Sequence, residues 1–142
     1  MSRSLRWLVA LLSLVAVSPL GACRDDSSRP TSIAPCGIKV PIAQKYLIGG
    51  EFDEDGYHTV EVTSTSAGRP SSATDVFGEF DSKSFEVSLD ARSVGPGVTS
   101  LGSIKRLSTG CEVIFTLYEA PSVEDIVKGA AWVLTVSWPN DV

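Results

Sequence analysis

Histidine is almost absent from this 142-residue sequence, which contains one residue of that type and three cysteines. The single histidine, His58, lacks the second and third His or Cys ligands that zinc sites use. The sequence also has no glycine-rich phosphate-binding loop and no Gly-x-Ser-x-Gly nucleophile turn. These absences argue against metal, cofactor and hydrolase chemistry, and they favour a protein that is not an enzyme.

The sequence also lacks a hydrophobic run long enough to form a permanent transmembrane anchor. Its N-terminal apolar run extends from Leu8 to Val17, about ten residues, whereas a spanning helix needs about twenty. Arg3 and Arg6 precede this run, and no acidic residue occurs before Asp25. A positive start followed by a short apolar segment is the layout of a secretory signal peptide.

The residues that follow this run, Leu20-Gly21-Ala22-Cys23, resemble the lipobox of bacterial lipoproteins. The resemblance implies cleavage before Cys23 and lipidation of that cysteine. Proteins of this class carry several acyl chains there, because a single chain anchors only marginally. The residue after the cysteine is Arg24, not the Asp that retains such proteins at the inner membrane, so outer-membrane sorting is implied. An ordinary signal peptide cut elsewhere is the alternative.

The resemblance divides the chain into a signal peptide over 1–22, a lipidated tether over 23–35 and one domain over 36–142. The segment from Arg24 to Pro35 is polar and proline-punctuated and has no periodic pattern, as expected of a tether. Fully extended, it reaches only about 40 Å. The domain should therefore lie close to its membrane, on the periplasmic side.

The mature chain is short of positive charge. Without Arg3 and Arg6 it has ten basic and seventeen acidic residues, a net charge of −7. Nucleic-acid binding depends on neutralising phosphates with Lys and Arg, so no nucleic-acid partner is expected. The same charge is compatible with a basic partner.

Three cysteines are an odd number for a secreted protein. Assigning Cys23 to lipid leaves Cys36 and Cys111, and a disulfide is the default for such a pair in an oxidising compartment. The bridge would close a loop of about 75 residues, worth about 4 kcal/mol in the chain-entropy model. Two independent buried thiols or a metal pair are the alternatives.

Alternation of apolar and polar residues indicates strands along most of the domain. The clearest runs are 57–65, 84–90, 111–118 and 131–138, and weaker ones are 39–47, 76–80 and 98–107. The acidic residues from Glu51 to Asp55 are expected in a turn that ends at Gly56. A loop is predicted over 64–75, and one short helix near 122–128.

Seven or so short strands with turns every eight to twelve residues predict an all-β fold, a small antiparallel β-sandwich with one disulfide and at most one short helix. An immunoglobulin-like arrangement is the leading architecture, and a small β-barrel is the alternative. The Cys…Trp…Cys spacing of true immunoglobulin domains is absent, since no tryptophan lies between Cys36 and Cys111.

Two residues are candidates for a ligand surface. Trp138 precedes Pro139, where its strand must stop, so it is more exposable than Trp132 on the same strand. Arg69 lies in the long polar loop. The alternatives are core packing for the tryptophan and a loop without function for the arginine.

His58 and the acidic residues before it allow another interpretation. Oxygen-rich clusters on a glycine-hinged loop can hold calcium, but the EF-hand spacing is missing and Asp55-Gly56 is better explained as a hairpin turn. A lone histidine on a strand face that includes Val60 and Val62 is usually structural.

The sequence thus predicts a non-catalytic outer-membrane lipoprotein that binds an envelope protein or glycan. A periplasmic inhibitor or immunity-type lipoprotein that blocks a hydrolase or toxin is the first alternative. A small hydrolase or calcium-dependent module is the second.

Overall fold

The computed structural model describes residues 30–119 and 131–141. The signal peptide, the lipobox with Cys23 and the helix predicted near 122–128 lie outside the described residues. The elements in chain order are β1 (Ser32–Ile33), β2 (Val40–Pro41), β3 (Leu47–Glu54), β4 (Tyr57–Thr63), α1 (Ala73–Phe77), β5 (Phe85–Ser88), β6 (Arg92–Gly95), β7 (Val98–Arg106), β8 (Glu112–Glu119) and β9 (Trp132–Pro139). In these two ranges no helix is long and apolar enough to span a bilayer.

The prediction of an antiparallel all-β fold with one disulfide and at most one short helix is confirmed for the described residues, although the helix they contain is not the one predicted near 122–128. The strands form two antiparallel sheets, a small one of β1 and β2 and a large one in the order β3-β4-β9-β8-β7-β5, with β6 also paired to β7. The C-terminal strand β9 is inserted between β4 and β8 and is therefore central. Among the described residues, β3 pairs only with β4, so it is an edge of the large sheet.

The core lies on one face of the three central strands β4, β9 and β8. Their inward residues follow the predicted alternation, and nine of them are buried: Val60, Val62, Val113, Phe115, Leu117, Trp132, Leu134, Val136 and Trp138. Full burial of a large apolar side chain contributes about 1.5–3 kcal/mol. This one face therefore supplies much of the driving force for folding.

The predicted disulfide between Cys36 and Cys111 is present, with a Cα–Cα distance of 6.0 Å. It joins a one-turn 3-10 segment, Pro35–Gly37, to the residue before β8. The side chain of Arg106 strengthens this junction, because its Nη1 donates a hydrogen bond of 2.7 Å to the carbonyl oxygen of Cys36. The bridge thus fastens the N-terminal small sheet to the centre of the large one.

The strand predicted over 76–80 is wrong, because the helix α1 occupies its beginning. Ser72 accepts hydrogen bonds from the first turn and Asp75 bonds back to the backbone of Ser72, which is a capping box. Gly78, with a φ of 73°, ends the helix. Phe77 then packs against the core ring of Phe115 at a centroid distance of 5.7 Å. The predicted loop over 64–75 is correspondingly shorter.

Other boundaries also differ from the predictions, and of the strand predicted over 39–47 only β2 (Val40–Pro41) and the first residue of β3 are in a strand. The acidic residues Glu51–Glu54 belong to β3 and not to a turn, and only Asp55 and Gly56 form the reversal, with φ values of 53° and 80°. Within the predicted tether, Ser32–Ile33 forms a strand and Ile33 is buried, so the folded part begins before Cys36. The strand predicted over 84–90 is shorter, Phe85–Ser88, and in it only Phe85 is buried, while Val87 is 43% exposed.

Candidate functional site

The two residues predicted to form a ligand surface lie apart. Trp138 is near the end of β9, whereas Arg69 lies in the loop beside the beginning of that strand, forming an ion pair with Glu119 and lining a cavity with Trp132. Trp132 and Trp138 are six positions apart on this strand, which corresponds to about 20 Å. The structure therefore does not bring Trp138 and Arg69 into one site.

Trp138 is 9% exposed and helps to line a crevice of about 350 Å³ between the small sheet and the large one. The apolar part of the lining comes from Ile33, Ile48, Val60 and Trp138, and Lys39 and Glu51 contribute charges of opposite sign. This volume is at the lower end of those typical for ligand pockets. The crevice can accept one or two side chains of a partner or a small amphiphilic molecule.

His58 lies beside this crevice and is held by three neighbours. Its Nδ1 is 2.7 Å from Oδ1 of Asp53, its Nε2 is 2.5 Å from Oε1 of Glu51, and its ring packs on Trp138 at a centroid distance of 5.0 Å. Carboxylates only accept hydrogen bonds, so both ring nitrogens must donate, which requires the imidazolium form. The hydrogen bond to Asp53 raises the pKa of His58, partial burial opposes this, and Glu51 adds to the increase.

The chemistry available at His58 follows from these partners. Its two nitrogens contact carboxylates that stabilise its positive charge, whereas a general base needs a neutral nitrogen facing a nucleophile or water. No group of three or more His, Cys, Asp or Glu side chains in the described ranges has a geometry suited to a metal ion. The arrangement is that of an ion-pair clamp that fastens β3 to β4.

The β3–β4 hairpin carries exposed aromatic and acidic side chains. Phe52 and Tyr57 are 40% and 42% exposed, and they lie near each other because Phe52 pairs with Thr59 and Tyr57 with Glu54. Alternation places Phe52 and Glu54 on the face opposite to the His58 clamp. The strand pattern did not predict this surface, although the five acidic residues and the absence of Lys and Arg between Lys45 and Arg69 were a visible signal.

Arg69 belongs to a second, more polar region at the opposite end of β9. The loop there is fixed by Ser64, whose hydroxyl donates to the carbonyl of Lys45 at 2.7 Å and accepts from the backbone of Ala67 at 2.9 Å. Trp132 lies beneath it and donates from Nε1 to the carbonyl of Ala67 at 3.4 Å. These contacts accompany the burial of Trp132, which is 4% exposed.

Comparison of the chain with protein-family models, with curated proteins and with solved structures finds no match.

Proposed function

We propose that this protein is a lipid-anchored, non-catalytic binding module of the bacterial cell envelope, attached to the outer membrane through Cys23. The observation that carries the proposal is the pairing of the cysteines. Cys36 and Cys111 are joined to each other, which leaves Cys23 as the one remaining cysteine of the three in the sequence. That cysteine is the residue at which the lipobox resemblance expects the lipid.

The disulfide supports an extracytoplasmic site of action. Disulfides of this kind persist in oxidising compartments such as the periplasm and are rare in the cytosol. The first strand of the described residues begins at Ser32, which is only nine positions after Cys23. Fully extended, nine residues reach about 30 Å, so the partner is an envelope protein or glycan within that distance of the membrane.

The binding surface in this proposal is the β3 edge of the large sheet, with both faces of the β3–β4 hairpin and the crevice on its inner face. It combines an apolar depression, two exposed aromatic rings and an unpaired strand edge within the described residues. Aromatic residues are enriched in protein interfaces. The ion-pair clamp at His58 holds this surface in shape.

A second candidate is an inhibitor or immunity-type lipoprotein that blocks a hydrolase or toxin. One observation favours it, namely the five acidic residues carried by the hairpin region between Lys45 and Arg69. Such a surface is complementary to a basic cleft. The identity of the bound protein separates the two candidates.

The sorting part of the proposal is tested by changing the residue after the lipidated cysteine. In an enteric-type host, the wild-type protein is expected in the outer-membrane fraction of a density gradient, and Arg24→Asp is expected to move it to the inner membrane. Cys23→Ser, exported with the cleavable signal peptide of a soluble periplasmic protein in place of residues 1–22, should release it from both membranes. If Cys23→Ser leaves the protein membrane-bound, Cys23 is not the anchor and the proposal fails.

The binding part is tested by photo-crosslinking in intact cells. A benzoylphenylalanine placed at Phe52 should give a discrete crosslinked product, whereas the same probe at Val94, which is 56% exposed on β6, should not. Mass spectrometry of the product identifies a scaffold protein, a glycan-bearing fragment or a hydrolase. Equal products at both positions, or none at either, would contradict binding through this surface.

A further inference from the structure

The edge strand β3 has a combination of features that points to a particular kind of partner. It is eight residues long and pairs on one side only within the described part of the chain. In an antiparallel strand, backbone N–H and C=O groups point alternately towards the two sides. Within the described residues no strand pairs with the side of β3 away from β4, so its backbone groups there are open to the addition of another strand.

The charge of the hairpin limits which strand can add there. Glu51, Asp53 and Glu54 lie on β3 itself, Asp55 is in the turn and Glu61 is on β4. No Lys or Arg occurs between Lys45 and Arg69, so His58 is the sole source of positive charge in this stretch. A second copy of the same edge would bring like charges together, whereas a strand with Lys or Arg would be attracted.

The two faces of the hairpin specify an alternating pattern for such a strand. On the inner face, the crevice with Ile33, Ile48 and Trp138 is suited to apolar side chains. On the outer face, Glu54 pairs with Tyr57, and Glu61 pairs with Gly50, two residues before Phe52. The carboxylates and exposed rings of this face suit the charge and the aliphatic stem of lysine or arginine. Side chains of an added strand alternate between these faces.

We propose that the open edge of β3 is a docking surface for an extended basic segment of a partner protein, with basic residues facing outward and apolar residues facing the crevice. The proposal deepens the binding function above and rests on it for the envelope setting. The docking chemistry itself can be tested without a membrane, so the two can fail separately.

The test uses the full mature protein with Cys23→Ser, oxidised, and synthetic peptides matched in length to β3. The first peptide alternates lysine and valine, the second alternates glutamate and valine, and the third is the lysine peptide with alternate backbone nitrogens methylated. Methylation keeps the charge but removes the N–H groups needed for strand pairing. Binding is measured by isothermal titration calorimetry at low ionic strength and again with added salt.

The dissociation constant of the lysine peptide is expected to be lower than that of either other peptide by at least about tenfold. Glu54→Lys with Asp55→Asn should abolish this preference while keeping the turn, since Asn also tolerates a positive φ. The control variant, Glu79→Lys with Glu86→Gln, changes the net charge by the same amount but at residues outside the β3–β4 hairpin. The preference for the lysine peptide should remain in this variant. Thermal melts verify that both variants are folded.

Two results would overturn the proposal. Equal affinity for the lysine peptide and its methylated form would mean that charge alone, and not strand addition, causes binding. If the wild-type protein does not bind the lysine peptide, this edge is not a site for basic strands. That conclusion holds whether the protein is a monomer or a dimer that buries β3.

Discussion

At the scale of single residues, Gly102 occupies the tightest backbone crossing in the sheet. Its φ is 91°, and a Cβ atom built there would lie 2.1 Å from the carbonyl oxygen of Ser88 and 2.8 Å from the Cα of Leu89. The residue lies at the irregularity in register where β7 bulges against β8. No other residue type fits both the space and the backbone conformation.

We therefore expect Gly102→Ala to lower the free energy of unfolding by about 3 kcal/mol, from backbone strain and forced displacement of the β5–β6 connection. Gly95→Ala is the matched control, because nothing lies within 4 Å of its added Cβ and its φ is not positive. Urea unfolding followed by tryptophan fluorescence measures both. Similar losses in the two variants would contradict the account of the crossing.

His58 provides a prediction for pH dependence. Its pKa is raised in the folded state, chiefly by the hydrogen bond to Asp53, so its contribution to stability is fully present below the unfolded pKa of about 6.5. That contribution is lost as pH rises through the folded pKa. The melting temperature of wild type should exceed that of His58→Gln near pH 5.5, and the difference should shrink by about pH 9. A difference that does not change with pH would exclude the charged clamp.

At the scale of elements, the capping box of α1 is the feature that explains the misassigned strand. The segment Val76–Phe80 has apolar residues at both ends, which a short strand and a short buried helix share. Ser72 and Asp75, three residues apart, were the available signal for a helix start. Asp75 is bonded by the hydroxyl and backbone of Ser71 and by the backbone of Ser72, which lowers the pKa of its carboxyl group.

Removing the cap should weaken this element. We expect Ser72→Ala to lower the free energy of unfolding by about 1 kcal/mol, the usual cost of losing a side-chain N-cap. Ser82→Ala, at an exposed position in a turn, should change stability little. Thermal unfolding by circular dichroism compares the two, and equal effects would mean that the cap does not contribute.

The elements that the sequence predicts best are those with one buried and one solvated face. In β8 and β9 every second residue is apolar and buried, so periodicity alone identifies them. β3 lacks this pattern because five of its eight residues are exposed, none is fully buried, and two are glycines. Its strand form results from pairing with β4, a tertiary contact that no local pattern of Leu47–Glu54 reveals.

The candidate site was predictable only in part, for the same reason. Trp138 could be identified from its position before Pro139, but its packing on His58 depends on β9 lying beside β4. The position of β9 between β4 and β8 is set by the sheet topology, which the local sequence pattern does not reveal. The edge of β3 and the crevice beside it likewise exist only once the strand order is known.

At the scale of the whole molecule, the disulfide joins parts that are far apart in sequence. It links residues 75 positions apart and connects the small sheet to the strand pair β7–β8. For a small domain with a net stability of about 5–15 kcal/mol, a bridge of this span should be a large fraction of the total. The envelope setting proposed for the protein is the setting in which such a bridge survives.

We expect Cys36→Ser with Cys111→Ser to lower the free energy of unfolding by about 4 kcal/mol. Reduction of the wild-type protein by a dithiol should produce the same loss, which makes it the internal control. Urea unfolding under oxidising and reducing conditions measures the effect. A loss below about 1 kcal/mol would mean that the sheet core alone carries the stability.

The central claim is that Cys23 becomes the lipidated first residue of the mature protein. The most direct measurement is mass spectrometry of the N-terminal proteolytic fragment of the full-length protein, expressed in an enteric-type host and extracted from its membranes. The account predicts a fragment that begins at Cys23 and carries a diacylglyceryl group and an amide-linked acyl chain. A fragment that begins elsewhere, or an unmodified Cys23, would contradict it.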